Sequence, residues 1–192
     1  MADIMTPEQR HVVMSHIHSK GTKPEVLLRK SLFSLGYRFR LNVRTLPGTP
    51  DLVLRKYHTA IFVNGCFWHG HKGCSKYVMP KSNVEFWEEK IHRNHERDLV
   101  NNQRLESLAW NVITVWECEL SKNKIDDTLA RIANELVDNK EKWEQYQERR
   151  RQNRAYAREQ ARRHREILAQ VEAELKEQFH IPVRIRRESH IF

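Results

Sequence analysis

The chain has 192 residues, 31% of them Asp, Glu, Lys or Arg, with a formal net charge of +9 and a pI near 9.6. That length suits one compact domain with an extension, and the basic excess favours polyanionic partners, nucleic acid first, through phosphate neutralisation and counterion release. No run of about 18 apolar residues occurs, which excludes a membrane-spanning helix; Met1-Ala2-Asp3-Ile4-Met5 lacks the basic-then-apolar layout of a secretory signal, so a cytoplasmic protein is expected.

All six glycines lie at or before Gly73, and neither glycine nor proline occurs between Pro80 and Pro182. The first part should therefore be turn-rich and the second helical, with the chemistry in the first. Thr6-Pro-Glu-Gln9 is a capping-box pattern that predicts a helix over 6–17, with Val12, Val13 and Ile17 buried. Thr22-x-x-Glu25 opens a second helix carrying Val26, Leu27, Leu28, Leu32 and Phe33, which Gly36 stops. Tyr37 to Leu41 is read as extended.

After the turn Leu46-Pro-Gly-Thr-Pro50, the apolar runs 51–54 and 59–63 flank a polar stretch and predict a hairpin in a buried sheet. A long helix over 86–108 carries Trp87, Ile91, Leu99 and Leu105, a strand follows over 112–116, and helix returns over 122–137. Trp110 and Trp116 are read as core. The fold class expected from these elements is a mixed α/β unit spanning residues 1–138.

Residues 139–192 form a basic helical extension. Trp143, Tyr146, Leu168, Val171, Leu175 and Phe179 recur mostly at three- and four-residue intervals, and 149–165 holds eight arginines against the single acid Glu159. A solvated charged helix and a phosphate-contacting arm are equal readings of that segment. An oligomerisation or repair-partner module is a third, although the apolar spacing spans too few heptads for a coiled coil.

The densest chemistry lies at residues 66–74, Cys-Phe-Trp-His-Gly-His-Lys-Gly-Cys. Three cysteines cannot all pair within one chain, and a reducing compartment keeps them as thiols that can bind metal. Cys66, His69, His71, Cys74 and Cys118 offer five zinc donors for a four-coordinate site. A local set of two cysteines and two histidines is complete without Cys118; a set with all three cysteines leaves one histidine unused. Spacing does not choose, although thiolate preference and the gain from clamping a loop favour the second.

Pro50-Asp51 resembles the first half of the proline–aspartate motif of restriction-type nucleases, in which the carboxylate holds Mg²⁺ against the scissile phosphate. The usual acid-x-Lys second half is missing from Thr59 to Gly65. Glu25, also a capping residue, is the candidate second acid, and His69 is a candidate for proton transfer near neutral pH.

Pro50-Asp51, the segment 61–74, Glu85-Phe-Trp87, Asn94-x-x-Arg97-Asp98, Trp110-x-Val-x-x-Val-Trp-Glu-Cys118 and the stretch from Met14 to Glu25 together resemble the very short patch repair (Vsr-type) DNA mismatch endonucleases over residues 6–138. The resemblance implies a restriction-endonuclease-like fold that nicks one strand of duplex DNA beside the thymine of a T:G mismatch. It implies catalysis by Asp51, His69 and Glu25, with Mg²⁺ on Asp51 and the Val63 carbonyl, and a structural zinc on Cys66, His71, Cys74 and Cys118. It further implies that Phe67, Trp68 and Trp87 wedge into the base stack while Met14 enters from the minor groove. A wedge selects damage because unstacking costs least at a mismatch.

Asn64 stands where some members of the family carry histidine, and the link Lys72-Gly73 between His71 and Cys74 is longer than in others. The expected protein is a monomeric, nucleoid-associated cytoplasmic enzyme, with mismatch-repair proteins as further partners. The competing reading is a non-catalytic, zinc-containing mismatch-binding protein, which the missing acid-x-Lys keeps open.

Overall fold

The computed structural model describes Gln9, Val12 and residues 21–179. The helix expected over 6–17 and the residue Met14 therefore lie outside the described residues, apart from Gln9 and Val12; both are helical, and Val12 is exposed rather than part of a buried stripe. Two compact units divide the chain, residues 1–143 and residues 144–192.

Helix α1 spans Lys23–Ser34 and starts as its sequence dictates. The Thr22 side chain accepts from the Glu25 amide, the Glu25 carboxylate accepts from the Thr22 amide, and Pro24 occupies the first turn. Its inward face is Glu25, Leu28 and Leu32; Leu27 and Phe33, expected in the same stripe, fall on the outer face and are exposed.

Four strands follow in the order β1-β2-β3-β4: Arg40–Leu41, Leu52–Leu54, Thr59–Asn64 and Asn111–Trp116. β1 is shorter than the extended reading of 37–41. β2 and β3 form the expected antiparallel hairpin, with the tight connection made by a 3-10 turn at Arg55–Tyr57 and His58 in the left-handed region. β3 and β4 are parallel, which requires the crossover through helix α2, Val84–Ser107.

The rows Leu52–Ile61–Ile113 and Val63–Val115 place apolar side chains on one face of the sheet. There they pack with Leu28, Leu32, Ile132 and Leu136 in one buried cluster. On the opposite face Val53 and Ala60 are buried, and α2 packs on β4 with Leu105 fully enclosed. The architecture is thus a mixed sheet with helices on both faces, the α/β class expected.

Trp110 and Trp116 are not in that core. Alternation along β4 turns Ile113 and Val115 inward and therefore Trp116 to the other face, while Trp110 precedes the strand; both tryptophans are half-buried. Trp110 stacks on His58 at 4.1 Å between centroids, and Trp116 stacks on His71 at the same distance. The last helix, α3, runs without interruption over Ile125–Phe179, so the two helices expected here are one. Neither glycine nor proline is present to separate them.

Candidate active site and metal centre

Both clusters of interest lie at the carboxyl ends of the two parallel strands. β3 ends at Asn64 and β4 at Trp116, and these two residues are registered partners. Each chain continues two residues to a cysteine, Cys66 on one side and Cys118 on the other, so the sheet brings together thiols distant in sequence. Cys118 sits in the 3-10 turn Glu117–Leu120 rather than on the strand itself. Short turns bend the β3 loop back, with the His71 amide donating to the Cys66 carbonyl at 2.9 Å and the Cys74 amide to the His71 carbonyl at 3.3 Å.

The result is a set of four donors, Cys66, His71, Cys74 and Cys118, whose ligand atoms all lie within 4.8 Å of one another. Nδ1 of His71 is 3.5 Å from Sγ of Cys118. A zinc tetrahedron with bonds of about 2.0 Å to nitrogen and 2.3 Å to sulfur spaces its donors by about 3.5–3.8 Å, so this arrangement fits the ion with little adjustment. Burial pushes the Cys66 thiol up to about 12 and raises Cys118 as well, whereas the Lys76 amide, 3.4 Å from Sγ of Cys74, lowers the pKa of that thiol. Burial favours the neutral thiol at Cys66 and Cys118, and a divalent cation would favour the thiolate instead. His69 is not in the set.

His69 instead turns into a cleft of about 1370 Å³, which it shares with Glu25, Asp51, Val63, Asn64 and Asp98. Its Nδ1 is hydrogen-bonded to Oδ2 of Asp98 on α2. Asp51 immediately precedes β2, where the register Leu52↔Ile61 sets it beside the end of β3. There the Val63 amide donates to its Oδ2 at 2.8 Å, so the contact made by Val63 to this acid is through N–H. Burial pushes the Asp51 carboxyl up to about 6; the Val63 amide opposes that rise, and the Glu25 carboxylate reinforces it. Glu25 is itself buried, and accepts from the Gly21 amide at 2.8 Å and the Thr22 hydroxyl at 2.8 Å. Capping α1 and facing the cleft are therefore compatible roles for it.

Two side chains of α2, quoted in the motif Asn94-x-x-Arg97-Asp98 but given no role there, organise this loop. Asp98 holds His69, and the Asn94 amide donates to the Trp68 carbonyl at 2.9 Å. The signal was available in the periodicity: Trp87, Ile91, Asn94, Asp98, Asn101 and Leu105 recur at intervals of four and three. Polar residues in the inward stripe of an amphipathic helix need polar partners, and Asn94 and Asp98 find theirs on the β3 loop. The approach is close, since a Cβ at Gly70, where φ is +66°, would meet Cγ2 of Ile91 at 2.9 Å.

Beside the cleft, Phe67, Trp68 and Trp87 form a cluster with centroid separations of 5.3–5.9 Å. Phe86, half exposed, adds a fourth ring 5.2 Å from Trp87, and Nζ of Lys90 lies 5.4–5.5 Å from Trp68, Phe86 and Trp87. None of the three expected wedge residues is fully buried. Lys23, Arg44 and Arg97 line the same cleft as the acids Glu25, Asp51, Asp98 and Glu117, so cations that can meet phosphate oxygens stand beside carboxylates that can hold a metal.

A mixed α/β sheet that gathers carboxylates, a carboxylate-held histidine and three cations into one cleft has the parts that phosphodiester hydrolysis needs. The profile of the family described as DNA mismatch endonuclease Vsr matches residues 2–76. The chain is 51% identical over 139 residues to the type II nicking enzyme V.NmeAIP of Neisseria meningitidis, covering 72% of this chain and 99% of that protein. It is 46% identical over 121 residues to the type II nicking enzyme V.XorIIP of Xanthomonas oryzae, covering 63% and 88%. To the DNA mismatch endonuclease Vsr of Escherichia coli it is 38% identical over 144 residues, covering 74% and 88%. The chain belongs to the Vsr family of DNA mismatch endonucleases, and its class is that of the strand-specific DNA endonucleases. Because the Neisseria enzyme is matched over nearly its whole length by 72% of this chain, the remainder has no counterpart in it.

Proposed function

We propose that this protein nicks one strand of duplex DNA next to the thymine of a T:G mismatch, by magnesium-dependent hydrolysis of a phosphodiester bond, as a cytoplasmic, nucleoid-associated repair enzyme. The observation that carries the reading is the division of the two histidines of the β3 loop. His71 faces the cysteines, while His69 faces Asp51 across a cleft and is held by Asp98. That division leaves a proton-transfer group beside an acid, without an acid-x-Lys strand.

Asp51, with Glu25 nearby and the Val63 carbonyl as a further oxygen donor, would hold Mg²⁺, whose charge would stabilise the phosphorane-like transition state and acidify a water. His69 accepts the proton of the attacking water, and Asp98 fixes the ring's orientation and stabilises the imidazolium that results. Cys66, His71, Cys74 and Cys118 would hold a structural Zn²⁺ that fixes the loop on which His69 is carried. Phe67, Trp68 and Trp87, partly exposed at the cleft edge, enter the base stack at the mismatch, with Met14 assigned to the minor-groove side. Lys23, Arg44 and Arg97 contact the backbone phosphates.

An end-labelled duplex carrying one T:G pair, incubated with Mg²⁺, should be nicked on the thymine strand, while the matched duplex stays intact. Asp51→Ala should bring nicking to background, and His69→Ala should lower it by about 10²–10⁴-fold. Full activity in Asp51→Ala would overturn the assignment. Mismatch binding with no cleavage under any divalent ion would favour the non-catalytic reading.

A further inference from the structure

Within the unit formed by residues 144–192, the described helix turns carry an arginine stripe. Arg151, Arg154, Arg158, Arg162 and Arg165 recur at intervals of three, four, four and three, which keeps all five within one narrow face of the helix. The stripe is about 21 Å long at about 1.5 Å per residue. All five side chains are exposed. Arg151 is 3.7 Å from Glu148, and Arg162 is 3.0 Å from Glu159 and 3.7 Å from Glu166. Arg154, Arg158 and Arg165 have no carboxylate partner among the described residues, and no acid stands three or four positions from any of them.

A merely solvated helix alternates its charges so that each cation meets an acid one turn away. Here Arg150–Arg154, Arg154–Arg158 and Arg158–Arg162 are like-charged pairs at i,i+4, each of which weakens the free helix. The acids that could have neutralised them, Glu172, Glu174 and Glu177, lie beyond the stripe. A row of guanidinium groups that repel one another in the free protein is complementary to a row of phosphates, which planar guanidinium donors bind bidentately. Its length corresponds to about six base pairs at about 3.4 Å per step.

We propose that this helix is a second DNA-binding element, an arm that grips the phosphate backbone of duplex DNA without regard to sequence or mismatch. Its occupant is the duplex on which the endonuclease unit acts, and only that choice of polyanion rests on the function proposed above. The arm raises the affinity of the whole chain for any duplex, and so the time spent near a mismatch, without touching the reacting phosphate. The Neisseria relative is matched from end to end by less than three-quarters of this chain. An arm of this kind distinguishes the present enzyme from it.

The test uses the full-length, zinc-loaded chain with all five arginines changed to glutamine, R151Q, R154Q, R158Q, R162Q and R165Q. Glutamine has nearly the helix propensity of arginine, so helicity by circular dichroism should match the parent. Binding to a matched, end-labelled duplex is followed by fluorescence anisotropy across a salt series, which needs no cleavage and so stands or falls separately from the nicking reading. Each phosphate contact contributes about 0.9 to the slope of log K against log salt, so loss of the stripe should flatten the slope by about 4 and weaken binding at least about tenfold near physiological salt. Single-turnover nicking at saturating enzyme should be unchanged. An unaltered slope and Kd would overturn the proposal. So would unaltered DNA affinity together with a shift from a larger to a smaller species in sedimentation, which would mean that the helix pairs with a second copy of the chain.

Discussion

Asp51 is held in a state that costs the free enzyme stability, and Asp51→Asn measures that cost. The carboxyl titrates at 3.8 in the open and at about 6 in place, chiefly through burial, with Glu25 adding to the effect. The folded state therefore binds this proton more tightly than the unfolded state, and stability falls as pH rises from about 4 to about 6. A gap of about two pH units at about 1.4 kcal/mol each is an upper value near 3 kcal/mol, and partial exposure to the cleft brings the expected figure to about 1–3 kcal/mol. Asparagine keeps an oxygen for the Val63 amide and carries no charge. In magnesium-free buffer, with zinc retained, the variant should match the parent near pH 4 and exceed it at pH 7.5. At about 2–4 °C per kcal/mol, the gain in unfolding temperature is about 2–12 °C. Thermal unfolding followed by circular dichroism at several pH values is sufficient. A variant no more stable than the parent at pH 7.5, or a gap that does not close on acidification, would refute the reasoning. Added Mg²⁺ should stabilise the parent and leave the variant unmoved.

The division of donors between the two centres is tested by metal content after dialysis. Cys118→Ser and His71→Ala should lower bound zinc from about one per chain toward zero and lower the unfolding temperature, whereas His69→Ala should retain the ion; the reverse pattern would return the loop to a local two-histidine site. Asp98→Asn should reduce single-turnover nicking by about tenfold or more while leaving the Kd for a mismatched duplex within about twofold, because it reorients His69 without touching DNA. An equal loss in binding and turnover would make Asp98 a support of the loop alone.

The local elements were legible because their causes are local. Thr22-x-x-Glu25 caps α1 with the bonds its pattern implies, the apolar runs around Arg55–His58 pair as a hairpin, and a stretch lacking glycine and proline is one helix from Ile125 to Phe179. Burial was read less well: helical and strand alternation can be written for either face, and Leu27 and Phe33 are exposed while Trp110 and Trp116 are half-buried outside the core. The spacing from Cys66 to Cys74 announced a metal but left open whether both histidines bind it, and only the family resemblance implied His71 with Cys118. That choice depends on Cys118, 3.5 Å from His71 only because the parallel register of β3 and β4 ends both strands at the same level. In the same way Asp98 reaches His69, and Val63 reaches Asp51, through pairings made by the crossover helix and the hairpin. Sequence alone determined which donors, acids and rings this protein has, since those are properties of residues and short spacings. Only the tertiary structure decided which of them meet, because sheet register and helix packing are set by burial of side chains far apart along the chain.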